Sequence, residues 1–146
     1  MSTNNDNSHS GKCLCGLVKY TIDSLEPNMG NCHCKMCRKF HGAAYATYAQ
    51  AKRENFHWID GEDLIKNYVG ENGTVRKFCS ECGSSLIFQD DIIDNHEMVH
   101  FAAGTLDTDI EVEPDVHIYL ESKANWLKLE DSLPKFETGR SSKRIK

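Results

Sequence analysis

The sequence predicts a single, mainly β domain, and three observations carry that expectation. The length of 146 residues matches one domain on the usual scale of about 100–200 residues. Apolar residues recur with period two in short runs bounded by Gly, Asn, Asp and Pro, which is the strand pattern. No apolar stripe at i, i+3, i+4, i+7 continues for ten residues, so long amphipathic helices are not expected.

Taken in order, residues 1–10 are polar, rich in Asn and Ser and without periodicity, and read as a disordered leader. The domain is expected over residues 11–136. Strands are predicted at 17–22, 43–51, 65–69, 75–78, 85–89, 98–103 and 117–120. Gly70-Glu71-Asn72-Gly73 reads as a hairpin turn, because Asn-Gly tolerates positive φ at both central positions. A short helix follows Cys34 and ends near Gly42, a residue suited to a left-handed cap. Residues 137–146, ending Lys143-Arg144-Ile145-Lys146, read as a basic disordered tail.

Charge narrows the partners. Seventeen basic residues against 22 acidic ones leave a net charge of −5, the wrong sign for a protein held on phosphate backbones by counterion release. Nucleic acid is therefore an unlikely partner. No apolar run approaches the ~20 residues of a membrane helix, and the polar start has no signal-peptide pattern. No membrane association and a cytoplasmic location are expected. No internal repeat and no glycine-rich phosphate loop is present, so a nucleotide site is not suggested.

Seven cysteines are too many to ignore and odd in number, and a reducing compartment disfavours structural disulfides. They fall into Cys13 and Cys15 (C-x-C), Cys32, Cys34 and Cys37 (C-x-C-x-x-C), and Cys79 and Cys82 (C-x-x-C). In extended chain, residues i and i+2 point the same way, so each C-x-C presents two sulfurs together while His33, between Cys32 and Cys34, faces away. Cys79-Ser80-Glu81-Cys82-Gly83 reads as a zinc knuckle. Structural zinc takes four protein ligands and catalytic zinc keeps three, and seven divides accordingly. The two pairs make a closed site of Cys13, Cys15, Cys79 and Cys82. The remaining Cys32, Cys34 and Cys37 make a three-ligand site, either open or completed by His41 or an acidic side chain. Zinc is preferred to an iron–sulfur cluster, which normally takes four thiolates, and to redox-switch cysteines. A closed site would supplement a core drawn from only 39% hydrophobic residues.

Gly11-Lys12-Cys13-Leu14-Cys15-Gly16, Cys32-His33-Cys34-Lys35-Met36-Cys37-Arg38 and Phe78-Cys79-Ser80-Glu81-Cys82-Gly83-Ser84 resemble motifs of the glutathione-dependent formaldehyde-activating (GFA) family, also called the centromere protein V family. Gly104-Thr105-Leu106-Asp107, Pro114 with His117-Ile118-Tyr119, and Ser122-Lys123-Ala124-Asn125-Trp126 are similar to its later motifs. The resemblance implies a β-tent fold of packed antiparallel sheets holding two zincs. It also implies a carbon–sulfur lyase of the S-hydroxymethylglutathione synthase type, joining a small-molecule thiol such as glutathione to formaldehyde.

A three-thiolate zinc with a free position suits a thiol substrate, which coordination deprotonates. The new alkoxide then needs a proton donor. His33, His41, Asp107 and His117 are the candidates. Lys35, Arg38 and Lys39 beside the three-cysteine motif are candidates for binding the carboxylates of the thiol, with Arg76 and Lys77 approaching the knuckle. Trp126 and Phe40 are read as core. Two other readings stand beside this one: a zinc-stabilised protein-interaction module in which both sites are closed, and a carbon–sulfur lyase acting on a different thiol.

Overall fold

A computed structural model describes residues 8–90 and 97–145. The described chain divides into two compact units, each assembled from separate stretches of sequence. The first comprises residues 8–27, 49–90 and 97–111, and the second residues 28–48 and 112–145.

The first unit is mainly antiparallel sheet, as the period-two pattern requires. Strands β1 (His9–Lys12), β2 (Lys19–Ile22) and β5 (Phe56–Asp60) form one sheet in the order β1-β2-β5. Strands β6 (Ile65–Val69), β7 (Val75–Cys79), β8 (Ser85–Gln89) and β9 (Met98–Ala102) form an antiparallel run in sequence order. The two layers meet through aromatic rings. Tyr20 of β2 stacks on Phe56 at 5.0 Å between centroids and meets Phe101 of β9 at 5.6 Å. Tyr20, Ile22, Val18, Leu86 and Phe101 are all buried, and burial of such side chains contributes about 1.5–3 kcal/mol each.

Two glycines decide local geometry. The hairpin turn expected at Gly70-Glu71-Asn72-Gly73 joins β6 to β7: Val69 pairs with Val75, within the turn only Gly73 is left-handed, at φ 86°, and the Asn72 side chain accepts from the Thr74 N–H at 3.1 Å. The asparagine thus acts by side-chain hydrogen bonding instead of by positive φ. Gly11, in β1, lies against the Tyr20 hydroxyl and the Thr105 carbonyl, and a methyl group there would collide with both. Gly11→Ala is expected to destabilise the chain by about 1–3 kcal/mol through overpacking, read as a lower denaturant midpoint with an unchanged slope.

The second unit is built on β3 (Met29–Cys32), β10 (Val116–Ile118), β11 (Lys135–Phe136) and β12 (Arg144–Ile145). Here β3 and β10 run parallel, with Asn31 opposite His117, and β10 and β11 are also parallel. Of these four strands the sequence pattern predicts only β10, at 117–120, and not its parallel direction; β3, β11 and β12 are too short to show a side-chain period. Strand β4 (Ala46–Lys52) lies next to β3 and ends in the first unit.

Both expected disordered ends include strand. His9 and Ser10 pair with Ile22 and Thr21, and Phe136 pairs with Arg144. No side-chain period announces these segments, because backbone bonds and one ion pair fasten them. Arg140 grips Asp115 through two bonds of 2.9 Å and holds its carboxyl below the ordinary aspartate value. That contribution is present above the ordinary aspartate range and is lost as pH falls below it through the lowered value. Among the described residues, no helix is long and apolar enough to cross a membrane.

Candidate metal centres and their surroundings

The first cluster arises from two tight turns in the first unit. Cys13-Leu14-Cys15-Gly16 closes with a Gly16 N–H to Cys13 carbonyl bond of 3.0 Å, and Cys79–Gly83 with a Gly83 N–H to Cys79 carbonyl bond of 2.8 Å. Gly16 and Gly83 are left-handed, at φ 83° and 80°, which only glycine adopts at no steric cost. The turns bring the sulfurs of Cys13, Cys15, Cys79 and Cys82 within 4.8 Å of one another. The Cys13–Cys15 and Cys15–Cys79 separations are 3.5 and 3.9 Å, far beyond the ~2.05 Å of a disulfide.

Hydrogen bonds reach these sulfurs from the neighbouring backbone and from Ser84. The Val18 N–H reaches Cys13 Sγ at 3.3 Å and the Glu81 N–H reaches Cys79 Sγ at 3.4 Å. The Ser84 hydroxyl accepts from the Leu14 N–H at 2.7 Å, leaving its own hydrogen for Cys82 Sγ at 3.3 Å. Burial opposes ionisation of Cys82, but the Ser84 bonds outweigh it and bring the thiol down to about 5. Cys15 moves the other way, to about 12: the Leu17 N–H favours its thiolate, yet burial and the neighbouring sulfurs of Cys13, Cys82 and Cys79 prevail. Four thiolates this close repel one another unless a cation joins them. Four soft donors in a closed set fit tetrahedral zinc.

The second cluster belongs to the second unit. Helix α1 (Lys35–His41) starts as the sequence suggests, with Cys34 as N-cap accepting from the Cys37 N–H at 3.3 Å, and ends at left-handed Gly42. Cys32 at the end of β3, Cys34 at the cap and Cys37 on the first turn bring their sulfurs within 4.8 Å. The Cys34 and Cys37 sulfurs, with burial, push the Cys32 thiol well above its ordinary value. Three thiolates again fit a soft metal. Among the described residues no histidine or carboxylate atom joins the group, so His41 does not complete it. His41 Nε2 instead meets the Tyr48 hydroxyl at 3.0 Å, and Tyr48 donates to Cys37 Sγ at 3.8 Å.

Tyr48 was not among the residues singled out from the sequence, since nothing in its surroundings marks it as polar. Groups that hydrogen-bond metal ligands typically change metal affinity 10–100-fold. Tyr48→Phe is expected to weaken metal binding at the three-cysteine cluster about tenfold, measured by chelator competition with the four-cysteine cluster as internal reference.

The other candidates separate. Asp107 is on the first unit, paired with Lys12 at 3.0 Å. His33 and His117 are wholly buried and hydrogen-bonded to each other. Lys35, Arg38 and Lys39 line an open cleft of about 710 Å³ with Gly42, Ala43, Ala44 and Trp126. Trp126 is 67% exposed and is not core, and Phe40 is half-buried. Arg38 donates to the Ser122 carbonyl at 2.8 Å, while its Nε has no hydrogen-bond partner among the described residues. Tyr119, left-handed at φ 60°, turns the chain toward Ser122, a conformation that costs a non-glycine residue about 1–3 kcal/mol. Arg76 is buried over the Phe88 ring at 5.3 Å and Lys77 donates to Asn67. Those two cations serve packing and strand pairing.

The fold and these two sulfur sets define a cysteine-rich β protein able to hold metal at two places. The sequence profile described as glutathione-dependent formaldehyde-activating enzyme matches residues 8–122. A Halomonas elongata protein, provisionally named a glutathione-dependent formaldehyde-activating enzyme, is 33% identical over 128 residues, covering 82% of this chain and 80% of its own length. The chain belongs to the GFA family. A Schizosaccharomyces pombe protein named an uncharacterized lyase is 24% identical over 80 residues, 55% of this chain and 56% of that one. A crystal structure of a Rhodobacter sphaeroides protein shares the fold, with a TM-score of 0.58 at 23% identity, covering 70% of this chain and 91% of that one.

Proposed function

We propose that the chain is a zinc-dependent carbon–sulfur lyase of the S-hydroxymethylglutathione synthase type, joining a small thiol such as glutathione to formaldehyde or releasing it from the adduct. The observation that carries this reading is a set of three sulfurs with no fourth described ligand, on a helix that also carries Lys35, Arg38 and Lys39. The family name and the relatives' names support the thiol and the aldehyde.

Cys32, Cys34 and Cys37 would hold the catalytic zinc, and Cys13, Cys15, Cys79 and Cys82 a structural one. When bound, zinc lowers the pKa of a coordinated thiol and so supplies a nucleophile at neutral pH. The remaining work falls to the chain itself. Lys35, Arg38 and Lys39 hold the carboxylates of the thiol, Arg38 being pre-oriented by its Ser122 bond. The exposed ring of Trp126 forms the other wall of the cleft. Tyr48, hydrogen-bonded to His41, donates to Cys37 Sγ and helps orient that ligand. The net reaction adds S–H across the carbonyl: the carbon–sulfur bond forms and the proton of the thiol ends on the new hydroxyl. The seven reduced thiols suit a reducing, cytoplasmic setting.

Metal stoichiometry with and without glutathione, measured beside the rate of S-hydroxymethyl adduct formation, tests the proposal. Two equivalents of zinc and a zinc-dependent rate are expected. Two metals each saturated by four protein ligands, with no rate above background, would point instead to an interaction module. A rate with other thiols but none with glutathione would move the substrate to a different thiol.

A further inference from the structure

Beneath the three-cysteine cluster runs a chain of hydrogen bonds that the proposed chemistry leaves unused. His33 and His117 are both 0% exposed. His33 Nε2 lies 2.8 Å from His117 Nδ1, and His117 Nε2 lies 2.8 Å from Asp131 Oδ2. Tyr45 packs on both imidazoles, at 4.7 Å from His33 and 5.5 Å from His117 between centroids. The three polar residues lie far apart in sequence, and β10 carries the middle one.

The hydrogens in this chain are determined by its end. An ionised carboxylate only accepts, and Asp131 is held ionised: the His117 bond, with Lys135 and the Leu133 N–H, lowers its carboxyl to about 2. A neutral His117 then carries its hydrogen on Nε2, which leaves Nδ1 bare. His33 in turn must donate from Nε2, which leaves its own Nδ1 bare. That atom is buried and has no hydrogen-bond partner among the described residues, so nothing else competes to set the tautomer.

His33 is also the middle of the C-x-C segment. Its backbone N–H donates to the Ile118 carbonyl at 2.9 Å, while its ring bonds to His117 on the same strand. Main chain and side chain thus fix this residue to β10 at two points, and no ring nitrogen of His33 joins the sulfur group. With the central residue fixed by its inward side chain, the flanking sulfurs are directed to the opposite side.

We propose that Asp131 is a positioning residue for the three-cysteine site: acting through His117, it fixes one tautomer of His33 and thereby the bend that makes Cys32 and Cys34 converge with Cys37. The inference rests on reading that cluster as a metal site. Sequence gave no warning of it, because Asp131 stands among ordinary surface acids and is itself part-exposed.

The test uses the full-length chain. Long-range nitrogen–proton correlation spectra of labelled histidine report tautomers with or without zinc, and cobalt and zinc competition titrations report each cluster. The wild-type chain should show both His33 and His117 protonated at Nε2. In Asp131→Asn the amide can donate to His117, so both rings should reverse their tautomers. Affinity at the three-cysteine cluster should fall about 10–100-fold, with the four-cysteine cluster unchanged as proof of folding. Lys135→Met removes a second partner of Asp131 but leaves His117 in place, and should behave as wild type. Two outcomes overturn the proposal: Asp131→Asn with wild-type metal affinity, whatever its tautomers, or Lys135→Met matching Asp131→Asn, which would make Asp131 a loop anchor. A wild-type chain that takes up a single equivalent of metal would overturn the metal reading of the cluster as well, whereas two equivalents with an unaffected Asp131→Asn would overturn this inference alone.

Discussion

Cys79→Ser should unfold the first unit. Cys79 is wholly buried, ends β7, pairs with Ile65 of β6 and exchanges backbone bonds with Gly83 and Ser84. Its sulfur is one of four that fit a closed zinc site. Structural zinc contributes about 10–16 kcal/mol in small metal-dependent folds, against a net stability of about 5–15 kcal/mol for a whole domain. A serine oxygen is a poor replacement for a thiolate, and the other three sulfurs would be left crowded and less able to hold the ion. The expected result is loss of the cooperative thermal transition and of near-ultraviolet circular dichroism, reproduced in the wild type by a strong chelator. A Cys79→Ser protein melting within a few degrees of wild type would show that this cluster is not what holds the unit together.

Cys37→Ser should leave that unit folded and remove the chemistry. Cys37 is 2% exposed and contributes the sulfur that Tyr48 addresses. Since partners of a metal ligand alter activity or affinity 10–100-fold, loss of a ligand from a set of only three should cost at least about 100-fold in rate. Metal content should drop from two equivalents to one. The comparison with Cys79→Ser is the informative part, because the two variants remove the same atom from clusters with different duties. Activity retained within a factor of a few would rule out the three-cysteine cluster as the reacting centre.

Much of this was readable in the chain because the relevant spacing is local. The i, i+2 rule and the knuckle spacing group the cysteines correctly, and Cys34 and Gly42 announce the helix that begins and ends on them. What was hidden depends on distant partners. His33 finds His117 across 84 residues, and Asp131 and Tyr48 become relevant only once the parallel pairing of β3 with β10 and the return of β4 are known. Trp126 looked like core because a tryptophan in a short chain usually is; its cleft comes from the turn after Tyr119 and not from any apolar period. Asp107 pairs with Lys12 of β1 at 3.0 Å, a partner 95 residues away that its own motif does not show.

Cys34 begins α1 with the same sulfur that faces Cys32 and Cys37. A helix of seven residues has little stability of its own, so the atom that starts it also governs how Lys35, Arg38 and Lys39 are presented. On the proposed function, exchanging those cations to retune substrate preference would also disturb the ion held by Cys32, Cys34 and Cys37, and replacing that ion would shift the cations in return. Anyone engineering this protein should expect selectivity and metal preference to change as a pair.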